Sequence, residues 1–320
     1  MDKRVRWGIA GPGRMAATMA AEFAHSPSNQ LVAVASRDHG RAMDFAAEHR
    51  IPTTYGSYAE LCADRNIDAI FIATPHPQHA DIALEAIANG KAVLVEKAFT
   101  DSVASSKRVI SAARAAKVFC MEGVWTRFLP AVVKAREIIA SGELGQVRAV
   151  QGDLTAFRTF DPADRLFDRA QGGGAMLDVG VYVLSFAQMF LGDPSSVHAV
   201  GGRLPNGVDG EFGLVLGYPD GRLATLQGGF TAQGPGRMMI ACTNGWIDVL
   251  PRFHRASTII VWRGKHAEEL SFPSEGAGYF HELEHVAACL RDGLTESPIM
   301  PLRDTLIVQE IMQKALTQIP

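Results

Sequence analysis

Along the first 120 residues, short β-branched and apolar runs alternate with longer stretches of helical character. Residues 5–10, 31–36, 67–74, 91–95 and 118–121 have the continuous apolar composition of strands buried on both faces. Between them, residues 15–25, 41–49, 58–64, 78–89 and 102–117 read as helices. Ser57 and Glu60 form a capping-box signature at the third of these, and Gly90 sits where a helix should stop. Strand, helix, strand repeated in this way predicts a parallel, doubly wound sheet.

From about residue 147 the period changes. Residues 147–154, 196–204, 211–218, 222–230, 238–243, 246–250 and 257–262 read as longer strands with polar alternation, and Pro219-Asp220-Gly221 and Asn244-Gly245 supply hairpin turns. Strands joined by tight turns must be antiparallel. Residues 279–291 and 302–316 return to helix. The pattern predicts an α/β domain over residues 1–122, followed over residues 123–320 by an α+β domain with a large, mostly antiparallel sheet. A length of 320 residues suits two domains.

Composition narrows the class. Apolar residues make up 47% and charged residues 20%, with a net charge of −3, so a sizeable core is affordable and nothing attracts nucleic acid or an anionic membrane in bulk. Cys62, Cys120, Cys242 and Cys289 are scattered through apolar stretches with no ligand or disulfide spacing, the usage of a reduced, cytoplasmic chain. The basic start at Lys3, Arg4 and Arg6 does not make a signal sequence, because Arg14 and Glu22 interrupt its apolar part. Residues 173–192 are long enough to span a bilayer, yet Asp178 and Gln188 would be costly there, so no membrane association is expected.

Candidate chemistry gathers at the predicted strand ends. The first strand runs into Gly11-Pro12-Gly13-Arg14-Met15-Ala16, a Gly-x-Gly-x-x-Ala turn before a helix. Gly11 would make the tight turn, Gly13 would admit a pyrophosphate, and the cradle would extend through Arg14 and Met15. No Ser, Thr, Asp or Asn caps this helix, and Arg14 opposes its dipole, two defects that a bound anion would resolve. The second strand ends at Ser36-Arg37-Asp38, where a hydroxyl and a guanidinium suit a 2′-phosphate and favour NADP over NAD. A strand end displaced by one residue would instead put Asp38 on the ribose, as NAD enzymes do.

Thr74-Pro75-His76-Pro77-Gln78-His79 comes at the end of the third of these strands, residues 67–74, and its two prolines suggest an extended loop lining the cofactor cleft. The fourth, residues 91–95, delivers Glu96 and Lys97 to the same edge, where the ammonium can hydrogen-bond a substrate oxygen. Gly172-Gly173-Gly174 opens an apolar helix carrying Asp178 and Tyr182 four residues apart on one face. A lone Asp on such a helix needs a partner, and a Tyr–Asp–Lys cluster would supply an acid/base relay. His281-Glu282-Leu283-Glu284-His285 matches the H-E-x-x-H of zinc hydrolases without the extension that completes a ligand set; a helix turning Phe280 and Leu283 inward with its charges solvated is the simpler reading.

Together with Met121-Glu122-Gly123-Val124-Trp125-Thr126-Arg127-Phe128 and Glu296-Ser297-Pro298-Ile299-Met300-Pro301, these motifs resemble the glucose-fructose oxidoreductase/inositol dehydrogenase (Gfo/Idh/MocA) family over essentially the whole chain. The branch of dihydrodiol and D-xylose dehydrogenases is the most similar. The resemblance implies a catalytic Lys at Lys97, an acid/base residue at Tyr182 supported by Asp178, nicotinamide neighbours at Trp125 and Arg127, and 2′-phosphate readers at Ser36 and Arg37. It further implies an N-terminal Rossmann domain and a C-terminal open-faced sheet that joins a homodimer or higher oligomer. The family's usual Glu-Lys-Pro is Glu96-Lys97-Ala98 here. A cis peptide without proline costs about 3–4 kcal/mol, so either a trans bond with a shifted loop or a retained cis bond is expected. The function implied is an NADP-dependent oxidoreductase acting on a secondary alcohol, sugar or trans-dihydrodiol. A non-catalytic NADP-binding sensor of the same fold is the alternative, and a zinc hydrolase through His281, Glu282 and His285 a distant third.

Overall fold

The computed structural model describes residues 4–320, so Lys3 of the basic start lies outside the described residues. The chain divides into two compact units, one comprising residues up to Trp125 together with Glu275–Leu302, the other Thr126–Ser274 with Arg303–Pro320.

The first unit is built on β1 (Val5–Ala10), α1 (Arg14–Glu22), β2 (Asn29–Ala35), α2 (His39–His49), β3 (Thr53–Tyr55), α3 (Tyr58–Ala63), β4 (Ala69–Ile72), α4 (His76–Ala88), β5 (Ala92–Glu96), α5 (Val103–Ala116) and β6 (Cys120–Gly123). Its six strands are parallel in the order β3-β2-β1-β4-β5-β6, the doubly wound arrangement whose direction reverses between β1 and β4. β4 and β5 are buried at every residue, as strands covered on both faces must be. The capping box forms as spelled: Ser57 Oγ accepts from the Glu60 N–H at 3.2 Å, and Glu60 Oε2 accepts from the Ser57 N–H at 3.1 Å. Gly90 stops α4 in a left-handed conformation.

The stretch expected to be an extended loop between Thr74 and His79 is instead mostly the first turn of α4. Pro75 is its extended N-cap and Pro77 lies in the first turn, where a missing N–H costs nothing because it would have no helical partner.

The second unit contains α6 (Pro130–Ser141), β7 (Val147–Thr155), α7 (Val181–Leu191), β8 (Ser196–Arg203), β9 (Asp209–Gly217), β10 (Leu223–Gly229), β11 (Met238–Cys242), β12 (Gly245–Val249), β13 (Thr258–Arg263) and β14 (His266–Ser271). Its eight strands run β14-β13-β12-β11-β7-β10-β9-β8. All pairs are antiparallel except β7 with β10, which lie side by side in the same direction. Along β9 and β10, buried and exposed residues alternate, so one face makes core and the other is open. Helix α7 covers β7 and β10 and is buried nearly all round. The apolar stretch long enough to cross a membrane, Arg169–Leu191, is 78% buried inside the protein over its most apolar window.

α8 (Phe280–Arg291) belongs to the first unit, and α9 (Leu302–Leu316) closes the chain. α8 turns Leu283 inward as expected, but its two glutamates are not left to solvent. Glu282 is fully buried, and Glu284 accepts from Ser26 and Ser28, both at 2.7 Å. The helix packs against the chain after α1, and both carboxyls are carried in with it.

Candidate active site

Every nucleotide-binding candidate of the first unit sits at or just beyond the carboxyl end of a parallel strand, the edge where open α/β sheets bind ligands. After β1, Gly11 is left-handed with φ +93°, and a Cβ there would come within 2.7 Å of Thr74 Cγ2. Gly13 differs. Its φ of −104° suits any residue, and a Cβ would meet nothing nearer than the Ala73 carbonyl oxygen at 4.0 Å. Neither backbone nor packing demands glycine at position 13. Gly13 is the N-cap of α1, which has no side-chain cap and no acid in its first turn, and Arg14 is its first residue. The Thr74 hydroxyl nearby is buried without a partner among the described residues.

At the end of β2, the strand stops at Ala35, so Ser36 and Arg37 form the tip. Asp38 is extended and caps α2 by accepting from the Arg41 N–H at 3.3 Å, while its own N–H donates to Ser36 Oγ at 3.2 Å. Arg37 and Arg41 are exposed and converge on the Tyr58 hydroxyl, pulling back a pKa that burial raises.

At the end of β5, the Lys97–Ala98 peptide is cis. His76 Nε2 lies 3.2 Å from the Ala98 nitrogen and 3.3 Å from the Lys97 carbonyl oxygen. His79 sets Nδ1 at 3.1 and 3.2 Å from the Ala98 and Phe99 carbonyl oxygens and Nε2 at 2.7 Å from that of Thr74. Glu122 Oε1 accepts from the Phe99 N–H at 2.9 Å. The two histidines are therefore clamps that tie the lysine-bearing turn to the start of α4. Glu96, nearly buried, ends the strand. After β6, Trp125 stacks on Tyr279 with centroids 4.0 Å apart and planes 15° from parallel.

In the second unit, Arg127 is 1% exposed. Its guanidinium donates to Asp304 Oδ2 at 2.8 Å, to Ser185 Oγ at 2.9 Å and to Gln188 Oε1 at 2.6 Å, tying α9 to α7. Asp178 lies in a π turn, Met176–Gly180, that leads into α7. The partner that its helix lacks comes from the preceding loop: Arg165 Nη2 stands 3.8 Å from Asp178 Oδ1. Tyr182 is buried and its ring lies 5.4 Å from that of His254.

Comparison with known proteins accounts for both units. Residues 5–124 match the oxidoreductase family with NAD-binding Rossmann fold, and residues 132–248 the GFO/IDH/MocA C-terminal domain. Trans-1,2-dihydrobenzene-1,2-diol dehydrogenase of Macaca fuscata fuscata is 36% identical over 97% of this chain and 95% of its own length. The chain belongs to the GFO/IDH/MocA oxidoreductase family.

As a GFO/IDH/MocA oxidoreductase it is an NAD(P)-dependent dehydrogenase acting on CH–OH groups. Its fold is shared by aldose-aldose oxidoreductase of Caulobacter crescentus (TM-score 0.89, 23% identity, 99% of this chain and 97% of the other). It is shared also by the 3-ketoreductase KijD10 of Actinomadura kijaniata in complex with NADP and TDP-benzene (TM-score 0.85, 23% identity, 99% and 98%). The first unit's edge fits such a cofactor: a helix terminus without a cap, space at Gly13 that no protein atom fills, and an unanswered hydroxyl at Thr74. His285, the last residue of the H-E-x-x-H match, bonds Ser297 Oγ at 2.7 Å. Arg165 and His254 escaped sequence reasoning, since a lone Arg in a polar loop and a lone His after Phe253 carry no spacing signal.

Proposed function

We propose that this dehydrogenase uses NADP to oxidise a secondary hydroxyl of a sugar, polyol or trans-dihydrodiol, or to reduce the corresponding carbonyl. The observation that carries the cofactor preference is the tip of β2. Asp38, the acid that would read an unphosphorylated ribose, is spent on capping α2, while Ser36 and the exposed guanidinia of Arg37 and Arg41 are grouped beside it. A 2′-phosphate presents anionic oxygens that a planar guanidinium can take two at a time. The substrate class is supported by the dihydrodiol dehydrogenases at 36% identity over nearly the whole chain.

When bound, the nicotinamide supplies the hydride acceptor. Gly11, Gly13, Arg14 and Met15 hold the pyrophosphate at the start of α1, with Thr74 and Pro75 alongside. Tyr182 is assigned the proton of the substrate hydroxyl, and the Lys97 ammonium the role of a donor to substrate oxygen as charge develops. Asp178, paired with Arg165, orients the polar substrate. His76 and His79 act through Lys97 by holding its turn. The exposed face of the second sheet, with Val200 at 73% and Val215 at 48% exposure, joins two copies.

The test is an absorbance screen of polyols, aldoses and trans-dihydrodiols with NADP⁺, and with NAD⁺ as the comparison. NADP⁺ reduction with one of these classes is expected. Faster reduction of NAD⁺ would reverse the cofactor reading, and silence across the panel with tight NADP binding would favour a sensor. On the best substrate, Tyr182→Phe and Lys97→Ala should each cut kcat by roughly 100-fold or more while NADP(H) affinity holds.

A further inference from the structure

The helix that carries Asp178 and Tyr182 has an apolar start and no side-chain cap of its own. Its first peptide groups are nevertheless answered. Asp209, the first residue of β9, directs its carboxylate at them: Oδ2 accepts from the Met176 N–H at 2.6 Å, and the Ala175 N–H also bonds it. The side chain is 6% exposed. The triple glycine is cut to fit this contact. Gly174 has φ +121°, and a Cβ there would overlap Asp209 Oδ1; a Cβ on Gly173 would come within 2.7 Å of the carbonyl oxygens of Arg165 and Leu166. Gly174 also donates its N–H to the Leu166 carbonyl at 2.9 Å, which fixes the turn bearing Arg165 to the start of the helix.

We propose that Asp209 is a positioning residue of the dehydrogenase: a carboxylate lent by β9 that anchors the first turn of the Asp178/Tyr182 helix and so holds both side chains in register for the reaction. It touches neither substrate nor cofactor. It acts two residues before Asp178 and six before Tyr182, by supplying the acceptor and the negative charge that a helix start needs. A misplacement of about 1 Å at a reacting group costs on the order of 100-fold in rate, so a frayed first turn is enough to be seen in kcat.

The anchor has a pH limit. Burial pushes the Asp209 carboxyl up to about 6, against the pull of the Met176 and Ala175 N–H groups and of Arg203 on β8. The helix start and the glycine turn bring no titratable side chain to it before Asp178, which is itself paired with Arg165. Above that value the carboxylate accepts from the backbone; below it the group carries a proton for which the helix start has no use.

The inference rests on the proposed roles of Asp178 and Tyr182, and the experiment separates the two. In the intact protein with NADP⁺ and the best substrate, Asp209→Ala is expected to lower kcat about tenfold or more with KM and NADP affinity little changed. Asp209→Asn, whose amide oxygen still accepts, should recover most of kcat at neutral pH and lose the acidic fall in kcat near pH 6. Hydrogen exchange over residues 175–182 should quicken in Asp209→Ala and in Gly174→Ala, but not in Asp209→Asn. Wild-type kcat in Asp209→Ala, equal losses in the Ala and Asn variants, or an unchanged acidic limb in Asp209→Asn overturns the anchor. Should Asp209→Ala fail to fold, the Asn pH profile and exchange decide alone. Undiminished turnover in Tyr182→Phe would instead overturn the catalytic reading, and the exchange result would still judge the anchor.

Discussion

Two glycine-rich turns open two helices in this protein, and they do opposite things. Gly11-Pro12-Gly13 leads into α1 and leaves the helix terminus without a side-chain cap, with a cation in its first turn. Gly172-Gly173-Gly174 leads into the Asp178/Tyr182 helix, whose terminus the Asp209 carboxylate fills. In sequence both are short glycine-bearing segments that lead into a helix without a capping side chain. The difference is what comes from elsewhere in the fold to meet the exposed N–H groups: one terminus is left open, where the proposed function puts the cofactor's pyrophosphate, and the other becomes an internal strut.

The comparison breaks most easily at the uncapped terminus. Gly13→Asp gives α1 the cap it lacks, at a position whose φ and surroundings accept a side chain. It should fold, with a helix more stable by up to about 1 kcal/mol. NADP affinity should fall by roughly 100-fold, the loss expected when two charge-assisted hydrogen bonds of about 1.5 kcal/mol each are withdrawn from a phosphate. Fluorescence titration of the cofactor measures this, and wild-type affinity in Gly13→Asp would show that the terminus holds no phosphate. A smaller effect is expected at the tip of β2. Arg37→Ala should weaken NADP binding by about 10-fold, one such contact, while leaving NAD binding where it was; equal losses for both would take Arg37 off the 2′-phosphate.

The smallest effect concerns stability and sets a second buried acid beside Asp209. Glu282, in the first turn of α8, is fully buried with neither oxygen hydrogen-bonded among the described residues, whereas Asp209 is answered by backbone N–H groups. Burial raises the Glu282 carboxyl well above its ordinary range, and the charges of Glu96 and Glu22 add to the rise. A raised carboxyl contributes stability below its unfolded value, and that contribution is lost as pH rises through the folded value. Glu282→Gln cannot ionise, so its melting temperature should gain on the wild type as pH increases from about 5 to about 8, by about 2–4 °C for each kcal/mol involved. Parallel melting curves for the two proteins across that range would mean that Glu282 is not titrating as burial dictates.

Much of this was legible along the chain. Strands buried on both faces leave continuous apolar runs, which is why β1, β4 and β5 stand out, and the Ser57/Glu60 capping box is spelled in four residues. β3 was invisible because it has three residues, and β14 because an almost wholly exposed edge strand has no apolar alternation. Nor did the polar composition of α8 suggest that it would carry Glu282 into the interior, since nothing local records which face a neighbouring element will cover.

At the site, the strand-end chemistry was readable for the same reason as the strands: Gly11, Gly13, Ser36, Arg37 and Lys97 follow directly on a local pattern, and the parallel topology brings strand ends to one edge without further information. What stands beside Asp178, Tyr182 and the start of their helix was not. Arg165 beside Asp178, His254 beside Tyr182 and Asp209 on Met176 join residues 13, 72 and 33 positions apart. No periodicity spans such distances. Short-range pattern therefore determined the elements, the fold class and the cofactor edge, while the tertiary structure alone decided which charges are answered, because a buried charge takes its partner from whatever the packing brings beside it.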